Sequence, residues 1–242
     1  MKKKIVLFYG REVGKKVYNI LKKDKNIEIL QSIAVSNKKK NQIDFNKNQK
    51  KKSWNLIYNK LKRFNDFTII TAWWGFIIPK KILQLSNKNT LNLHPSFLPY
   101  GKGKFPNMWA ILNNEPFGST LSSIDSNIDN GKIYVQKKIV VRLNSSAEQL
   151  YRKSIKDLLY LFKKYYLKII KGNIKAKKPI TKGSYYHSSK IKNLRKLYFD
   201  KKYKLSELIN RVNACKFKGY PGTYFIKNKK KYHFEIKILM KN

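Results

Sequence analysis

Cysteine, arginine and acidic residues are all scarce in this sequence of 242 residues. The single cysteine, Cys215, excludes an internal disulfide and a zinc site built from several cysteines. Only 13 acidic residues stand against 55 basic ones, which gives a formal net charge of +42. Hydrophobic residues at 42% and aromatic residues at 14% exclude a disordered chain. The length predicts one large domain, or one domain with a small appendage.

The excess of lysine has two interpretations. A strongly basic chain can bind nucleic acid or anionic lipid. Nucleic-acid readers usually use arginine for bidentate contacts, whereas only 6 of the 55 basic residues here are arginine and the lysines are spread along the whole chain. Lysine, asparagine and isoleucine share AT-rich codons. We therefore favour genome composition over specific nucleic-acid binding, although the charge can still help to recruit anionic substrates.

Apolar runs are too short to act as membrane segments. The run over residues 5–9 follows three lysines and stops at Gly10, which is too short for a signal-peptide core or a membrane span. The sequence therefore predicts a cytoplasmic protein without a membrane partner.

Alternating strand and helix patterns predict an α/β fold. Residues 5–9, 27–35 and 67–72 are strand-like, and helix-spaced apolar residues separate them. This order predicts a Rossmann-like, open, mostly parallel sheet flanked by helices, with ligands at the carboxyl ends of the strands. No G-x-G-x-x-G motif opens the first helix, so no dinucleotide site is expected. Residues 36–52 are rich in lysine, asparagine and glutamine, and predict a mobile surface loop.

A long amphipathic helix ends the main domain. A capping box over residues 145–148 predicts its start and Gly172 its end. The expected division is therefore a catalytic domain over 1–172 and a small C-terminal subdomain over 173–242.

The C-terminal subdomain contains a β-hairpin signal. Residues 224–226 and 232–238 alternate around a polar turn at 228–230. An isolated hairpin is marginally stable, so its apolar face must pack against its own domain or against a second copy of the chain. That face comprises Tyr232, Phe234, Ile236 and Ile238. The expected assembly is a homodimer.

Three residues offer the groups that acyl transfer to an amine requires. Asn92 and His94 alternate at the end of a predicted strand, so their side chains share a face. Asp129 lies in a short loop that Gly131 closes, although an ordinary Asx-turn would also explain it. An amide donor for an oxyanion, a proton carrier and a carboxylate partner suit direct transfer. No nucleophilic cysteine or serine is suitably placed for a covalent intermediate.

Two segments resemble the formyltransferase family that uses N10-formyltetrahydrofolate. Residues 92–99 match its N-x-H-P-S-x-L-P pattern and residues 125–131 match D-x-x-x-D-x-G. The resemblance implies that Asn92, His94 and Asp129 form the catalytic triad. Asn92 would hold the formyl oxygen, His94 would stabilise or protonate that centre, and Asp129 would orient His94 and help to accept the amine proton.

The same resemblance implies a folate cosubstrate, N10-formyltetrahydrofolate, and no metal. Residues 72–79 match the segment of the family that binds the pterin, and the 125–129 loop would close over it. The implied folate contacts are Trp74, Phe76, Ile78, Asp125 and Asn127. One departure is Ser122, where many relatives carry histidine, which puts a secondary contact in doubt.

Several branches of the family remain possible. The glycinamide ribonucleotide enzyme has a glycine-rich first loop that residues 9–12 do not match. The methionyl-tRNA enzyme has a C-terminal β-barrel larger than residues 173–242 can form. The deformylase has an N-terminal regulatory domain, whereas the first predicted strand here begins at residue 5. Segments 183–187 and 218–225 look like the sugar N-formyltransferase branch. That resemblance implies a dTDP-4-amino-4,6-dideoxyhexose as the acceptor, for surface polysaccharides such as the O-antigen of lipopolysaccharide.

Contacts with the nucleotide-linked amino sugar are expected from basic and aromatic residues. Arg11, Lys102 and Lys104 could face the pyrophosphate, and Tyr220 or Tyr224 could stack on the base. From a different class, a non-enzymatic basic nucleic-acid-binding protein would explain the charge but not the set of Asn92, His94 and Asp129.

Overall fold

A computed structural model describes residues 1–35, 42–86, 90–191 and 194–239. The strands are β1 (Lys3–Tyr9), β2 (Ile27–Ala34), β3 (Gln42–Asp44), β4 (Phe67–Ala72), β5 (Leu91–His94), β6 (Lys102–Gly103), β7 (Phe117–Ser122), β8 (Ile133–Ile139), β9 (Tyr185–Tyr186), β10 (Thr223–Lys227) and β11 (Lys230–Phe234). The α-helices are α1 (Arg11–Lys23), α2 (Lys50–Leu61), α3 (Lys80–Leu83), α4 (Pro106–Leu112), α5 (Ala147–Ile170) and α6 (Leu205–Cys215). Two short 3₁₀ helices span Lys47–Gln49 and Ser188–Ile191.

A seven-stranded sheet confirms the predicted α/β fold. Its strand order is β3-β2-β1-β4-β5-β7-β8. The strands from β3 to β5 pair in parallel, and β7 pairs antiparallel with β5. The predicted C-terminal hairpin is also present, because β10 and β11 pair antiparallel.

Burial on both faces explains the continuous apolar run of β1. Ile5 and Leu7 belong to a core that includes residues of α1 and α5, whereas Val6 and Phe8 belong to another that includes residues of α2 and α3. All four side chains are fully buried. Burial of one such side chain contributes about 1.5–3 kcal/mol, so β1 anchors both layers of helices.

The prediction of a surface loop over residues 36–52 is wrong for its second half. Residues 36–41 lie outside the described residues. Gln42–Asp44 forms β3 at the edge of the sheet, and α2 already begins at Lys50. Ile43 and Phe45 are the cause, since both are buried in the core beside α2. Two alternating apolar residues were enough to add a strand to a highly polar run.

The chain divides into two compact units. Unit 1 comprises residues 1–94, 120–136 and 158–180, and unit 2 comprises residues 95–119, 137–157 and 181–242. Unit 2 has its own small core, which includes Ile111, Phe117 and Leu150. The single division predicted at residue 172 stays a prediction.

Helix α5 starts one residue later than the sequence predicts. The Ser146 hydroxyl accepts from the Gln149 N–H at 3.2 Å, and the Gln149 side chain accepts from the Ser146 N–H at 2.9 Å. The capping box is therefore formed by Ser146 and Gln149, because glutamine closes the reciprocal pair as well as glutamate does. The predicted end is right: Gly172 has φ +82°, and the N–H groups of Gly172 and Asn173 donate to the last turn.

A two-residue turn joins the strands of the hairpin. Asn228 and Lys229 both have positive φ, +49° and +61°, as a type I′ turn requires. The second strand ends at Phe234, not at Ile238 as the alternation predicts. Phe234 pairs with Thr223, and the residues before Thr223 are Pro221 and Gly222, which do not continue a ladder well.

Within the described ranges, no helix has both the length and the apolar character needed to cross a membrane.

Cys215 is expected to be unreactive in the folded protein. Its side chain ends α6 and is 5% exposed, and burial raises the pKa of its thiol to about 11. The reactive thiolate is therefore a very small fraction at pH 8. A chromogenic disulfide reagent should label the native chain much more slowly than the chain in denaturant, with Cys215→Ser as the blank. Rapid stoichiometric labelling of the native chain would contradict this burial.

Candidate active site

Three polar side chains meet at the carboxyl end of β5, all within unit 1. The Asp129 Oδ1 atom lies 3.5 Å from Asn92 Nδ2, which donates to it, and 3.3 Å from His94 Nδ1. His94 is 7% exposed. The structure thus brings together Asn92, His94 and Asp129, as the sequence predicts. Their catalytic roles stay a prediction.

A tight loop between β7 and β8 carries Asp129 to the other two side chains. Its ends are tied where the Ser123 N–H donates to the Lys132 carbonyl at 2.7 Å and the Ser123 hydroxyl accepts from the Lys132 N–H at 2.8 Å. A Cβ atom at Gly131 would lie 1.8 Å from the Ser123 carbonyl oxygen, so only glycine fits there. Asp129 itself has φ +49°, a left-handed conformation that aspartate tolerates.

This arrangement can stabilise and protonate an oxygen centre. The Asn92 amide has two N–H donors, and only one is directed at Asp129, so the second can donate to a developing oxyanion. A carboxylate 3.3 Å from His94 Nδ1 fixes the ring orientation, as an imidazole that transfers a proton requires. The group is therefore chemically suited to attack by an amine on an acyl carbon.

Thr71 is a contact of this group that the sequence did not reveal. Its hydroxyl donates to Asn92 Oδ1 at 2.6 Å. The contact depends on the pairing register of β4 with β5, which places Thr71 opposite Asn92. No local pattern in the sequence reports that register.

The residues expected to bind folate occupy two different environments in unit 1. Trp74 and Phe76 pack in an aromatic cluster with Phe8, Phe45 and Trp54, in which neighbouring ring centroids are 4.7–6.1 Å apart. The Nε1 atom of Trp74 is buried and has no hydrogen-bond partner among the described residues.

Of the other three expected folate residues, Asp125 and Asn127 lie in the loop between β7 and β8. Ile78 is buried in the core beside α3. Asp125 is half-buried, Asn127 is exposed, and the Asp125 carboxylate accepts from the Asn127 N–H and turns the loop. All five folate contacts stay predictions.

The residues expected to contact the nucleotide are divided between the units. Arg11 is exposed in unit 1, and its φ of +52° is unusual for the first residue of a helix. Lys102, Lys104, Tyr220 and Tyr224 belong to unit 2. Tyr220 is exposed, whereas the Tyr224 ring lies 4.2 Å from the Lys231 ammonium. Their binding roles also stay predictions.

A polar cluster in unit 2 positions the segment that contains Lys102. Backbone N–H groups of residues 102 and 104 donate to the carbonyls of Ser184 and Tyr186. The hydroxyl groups of Ser184 and Tyr186 in turn donate to the Glu115 carboxylate. Burial of the Tyr186 hydroxyl raises its pKa, and the hydrogen bond to Glu115 raises it further. Segment 183–187 was singled out in the sequence as similar to the sugar N-formyltransferase branch, but the role of Glu115 was missed. In the described ranges, no group of three or more histidine, cysteine or acidic residues could hold a metal ion.

Two family models match the chain. The model described as formyl transferase matches residues 9–158, which is more than half of the chain. The model described as N-formyltransferase dimerization C-terminal domain matches residues 190–240.

Curated relatives come from two branches. A methionyl-tRNA formyltransferase from Thermodesulfovibrio yellowstonii is 40% identical over 107 residues, which cover 43% of this chain and 34% of that protein. A dTDP-4-amino-4,6-dideoxyglucose formyltransferase from Mycobacterium tuberculosis is 26% identical over 136 residues, which cover 56% and 58%. The matches thus span about a third to somewhat over half of the length of these relatives.

Solved structures of sugar N-formyltransferases have the same fold. The enzyme from Shewanella sp. superposes with a TM-score of 0.80 at 18% identity over 99% of both chains. The N-formyltransferase from Helicobacter canadensis, in complex with folinic acid and dTDP-3-aminofucose, superposes with a TM-score of 0.69 at 24% identity over 96% of this chain and 86% of that one. The match over residues 9–158 shows that the chain belongs to the formyl transferase family.

Proposed function

We propose that this protein is a sugar N-formyltransferase. It moves a formyl group from N10-formyltetrahydrofolate to the amino group of a nucleotide-linked amino sugar, for which a dTDP-4-amino-4,6-dideoxyhexose is the expected compound. The observation that carries the proposal is the convergence of Asn92 and His94 on Asp129, whose Oδ1 atom lies 3.5 Å from Asn92 Nδ2 and 3.3 Å from His94 Nδ1.

The mechanism requires only side chains that the site provides. The acceptor amine attacks the formyl carbon, and negative charge develops on the formyl oxygen. The free N–H of Asn92 donates to that oxygen, and His94 stabilises or protonates it. The amine loses a proton as the new C–N bond forms, and Asp129 helps to accept it. Collapse of the tetrahedral centre re-forms the formyl carbonyl and breaks its bond to the folate nitrogen, which leaves as an amine with the proton that the attacking amine gave up.

Support for a folate donor comes from the family and from the loop. Family membership over residues 9–158 supports formyl chemistry. The Trp74 Nε1 atom, which is buried and has no partner in the described part of the chain, and the loop carboxylate of Asp125 both belong to segments that the resemblance assigns to the pterin. Indole N–H and carboxylate groups suit a ring that carries both hydrogen-bond acceptors and donors. The Helicobacter canadensis neighbour binds the related compound folinic acid.

Support for a sugar acceptor comes from the whole-chain likeness. The sugar N-formyltransferase from Shewanella sp. matches 99% of this chain, including its small C-terminal part. The match to methionyl-tRNA formyltransferase is higher in identity but covers 43% of the chain. We therefore propose a nucleotide sugar as the acceptor. A cytoplasmic enzyme and a product for surface-polysaccharide synthesis belong to the same proposal and rest on the sequence analysis.

A panel of acceptors tests this proposal. The purified protein is incubated with N10-formyltetrahydrofolate and, separately, with dTDP-linked and UDP-linked 4-amino and 3-amino sugars, glycinamide ribonucleotide and methionyl-tRNA. Release of tetrahydrofolate and the mass of each acceptor report transfer. Turnover that is fastest with a nucleotide-linked amino sugar supports the proposal. Fastest turnover with methionyl-tRNA or glycinamide ribonucleotide contradicts the sugar assignment, and donor that is stable with every acceptor contradicts formyl transfer.

A homodimer that uses the hairpin is the expected assembly. The matched C-terminal family model is described as a dimerization domain. Tyr232 on β11 is 44% exposed and stacks on Phe225 of β10, so an apolar surface continues across the hairpin. Light scattering at micromolar concentration should give twice the chain mass of 28.7 kDa.

A charge on the hairpin should separate the subunits. Tyr232→Glu is expected to give a monomer, because an unpaired carboxylate would be buried at the interface. Leu56→Glu in α2 is the matched control, since Leu56 is 47% exposed and lies far along the chain from the hairpin. A wild-type protein that is monomeric, or a Tyr232→Glu variant that remains dimeric, would show that the hairpin does not join the subunits.

A further inference from the structure

We propose that Thr71 is a positioning residue for formyl transfer, because its hydroxyl holds the Asn92 amide with its NH₂ group directed toward the reacting formyl oxygen. This inference rests on the proposed function. It adds a residue that lies outside the three quoted motifs, and it concerns a single hydrogen bond between neighbouring strands.

Thr71 and Asn92 are direct neighbours on adjacent strands of the sheet. Thr71 of β4 and Asn92 of β5 are partners in a parallel ladder, so their side chains lie on the same face of the sheet. Thr71 is 6% exposed, and its Oγ1 atom is 2.6 Å from Asn92 Oδ1. Because both residues sit on paired strands, the geometry of this contact is set by the rigid part of unit 1.

The chemistry of the three groups allows one orientation of the amide. An ionised carboxylate only accepts hydrogen bonds, and Asp129 Oδ1 lies 3.5 Å from Asn92 Nδ2. A flipped amide would place its oxygen against that carboxylate. In the observed orientation the Asn92 oxygen faces Thr71, whose hydroxyl has a proton to donate. Thr71 and Asp129 therefore select the same orientation from opposite ends of the amide.

The consequence for catalysis follows from the second amide proton. With one N–H directed at Asp129, the other is free to donate to the oxyanion. Loss of the Thr71 hydroxyl leaves the Asn92 oxygen without its donor, and the amide can rotate to find another. A donor misplaced by about 1 Å can cost on the order of 100-fold in rate, so a smaller tilt should cost about 10-fold.

Ser122 provides a matched control on the same row of the sheet. It is the partner of Asn92 on the opposite side, in β7, and it is fully buried. Its hydroxyl has no hydrogen-bond partner among the described residues. Ser122→Ala, like Thr71→Val, removes a buried hydroxyl from this row of the sheet, but it breaks no bond to Asn92.

The experiment compares kcat and KM of the full-length wild type, Thr71→Val, Thr71→Ser and Ser122→Ala with the best acceptor of the panel. Thr71→Val should lower kcat about 10-fold with KM for both substrates within about 2-fold, because binding is not its role. Thr71→Ser restores the hydroxyl and should recover most of kcat, and Ser122→Ala should remain close to wild type. In the Asn92→Ala background, Thr71→Val should change the residual rate by less than about 2-fold.

Several outcomes would overturn the inference. These are wild-type kcat in Thr71→Val, no recovery in Thr71→Ser, or a full additional loss in the Asn92→Ala background. A second readout does not depend on activity: the side-chain NH₂ signals of Asn92 in nitrogen-15 NMR, assigned with Asn92→Ala, should move in Thr71→Val and stay in Ser122→Ala. If the wild type formylates no acceptor, the proposed function fails, and unchanged NH₂ signals in Thr71→Val would separately refute the role of Thr71.

Discussion

Alanine in place of His94 is expected to lower turnover by about 100-fold or more, with substrate binding much less affected. Asn92→Ala and Asp129→Ala should have effects of the same size. Asn92 supplies the donor to the oxyanion, and loss of one such donor typically costs about 2.7–4 kcal/mol of transition-state stabilisation. Asp129 contacts both other residues, so its loss removes the orientation of His94 together with a proton acceptor. Steady-state kcat and KM with the best acceptor provide the measurement.

Combined substitutions distinguish a catalytic group from three independent residues. The loss in the triple variant should be far less than the product of the single losses, because the three side chains act on the same centre. Asp125→Ala is the control within the same loop: its carboxylate bonds to the Asn127 N–H and shapes the turn, so its effect should be smaller. Near-normal turnover in His94→Ala would show that the mechanism proposed here is wrong.

Alanine in place of Trp74 should reduce the free energy of unfolding by about 3 kcal/mol, the lower end of the range for a large aromatic residue removed from a core, because Trp74 is half-buried. The Trp74 ring contacts Phe8, Phe45, Trp54 and Phe76, with centroid distances between 5.1 and 6.1 Å. A cavity at this position would have aromatic walls on several sides that cannot easily collapse. Urea unfolding followed by circular dichroism measures the change.

The same substitution tests the folate assignment when a second tryptophan serves as the control. Trp54 lies in the same cluster, with its ring centroid 4.7 Å from that of Phe45, but outside the segment assigned to the pterin. Trp54→Ala should therefore lose similar stability and retain affinity for a folate analogue. Trp74→Ala should weaken that affinity by at least about 1 kcal/mol. Equal affinities of the two folded variants in calorimetry would remove Trp74 from the folate site.

Strands with strong local patterns could be read from the sequence. The apolar runs of β1 and β4 follow from their burial on both sides, and the order of strands and helices then gave the sheet. Local spacing placed Asn92 and His94 on one face of a strand. The grouping of both residues with Asp129 came from the resemblance of residues 92–99 and 125–131 to the family motifs, because spacing alone left an ordinary Asx-turn open for Asp129.

Features that depend on pairing register could not be read from the sequence. Strand β3 forms because Ile43 and Phe45 are buried in the core beside α2. In the sequence these two residues lie within a run of lysines and asparagines, which is typical of a loop. The Thr71–Asn92 bond exists only because β4 and β5 align in one register. The expected contacts with the nucleotide stay predictions, since lysine is common on the surface of a chain with 55 basic residues and its presence there is not specific.

Transfer of an isotope label tests the central claim most directly. N10-formyltetrahydrofolate that carries carbon-13 in its formyl group is mixed with a dTDP-linked 4-amino-4,6-dideoxy sugar and the wild-type protein, with His94→Ala as the parallel sample. Carbon-13 NMR should show the label in a formamide on the sugar for the wild type, at a rate at least about 100-fold above that of the variant. Label that remains on the folate, or appears as free formate while the amine is unmodified, would contradict formyl transfer to this acceptor.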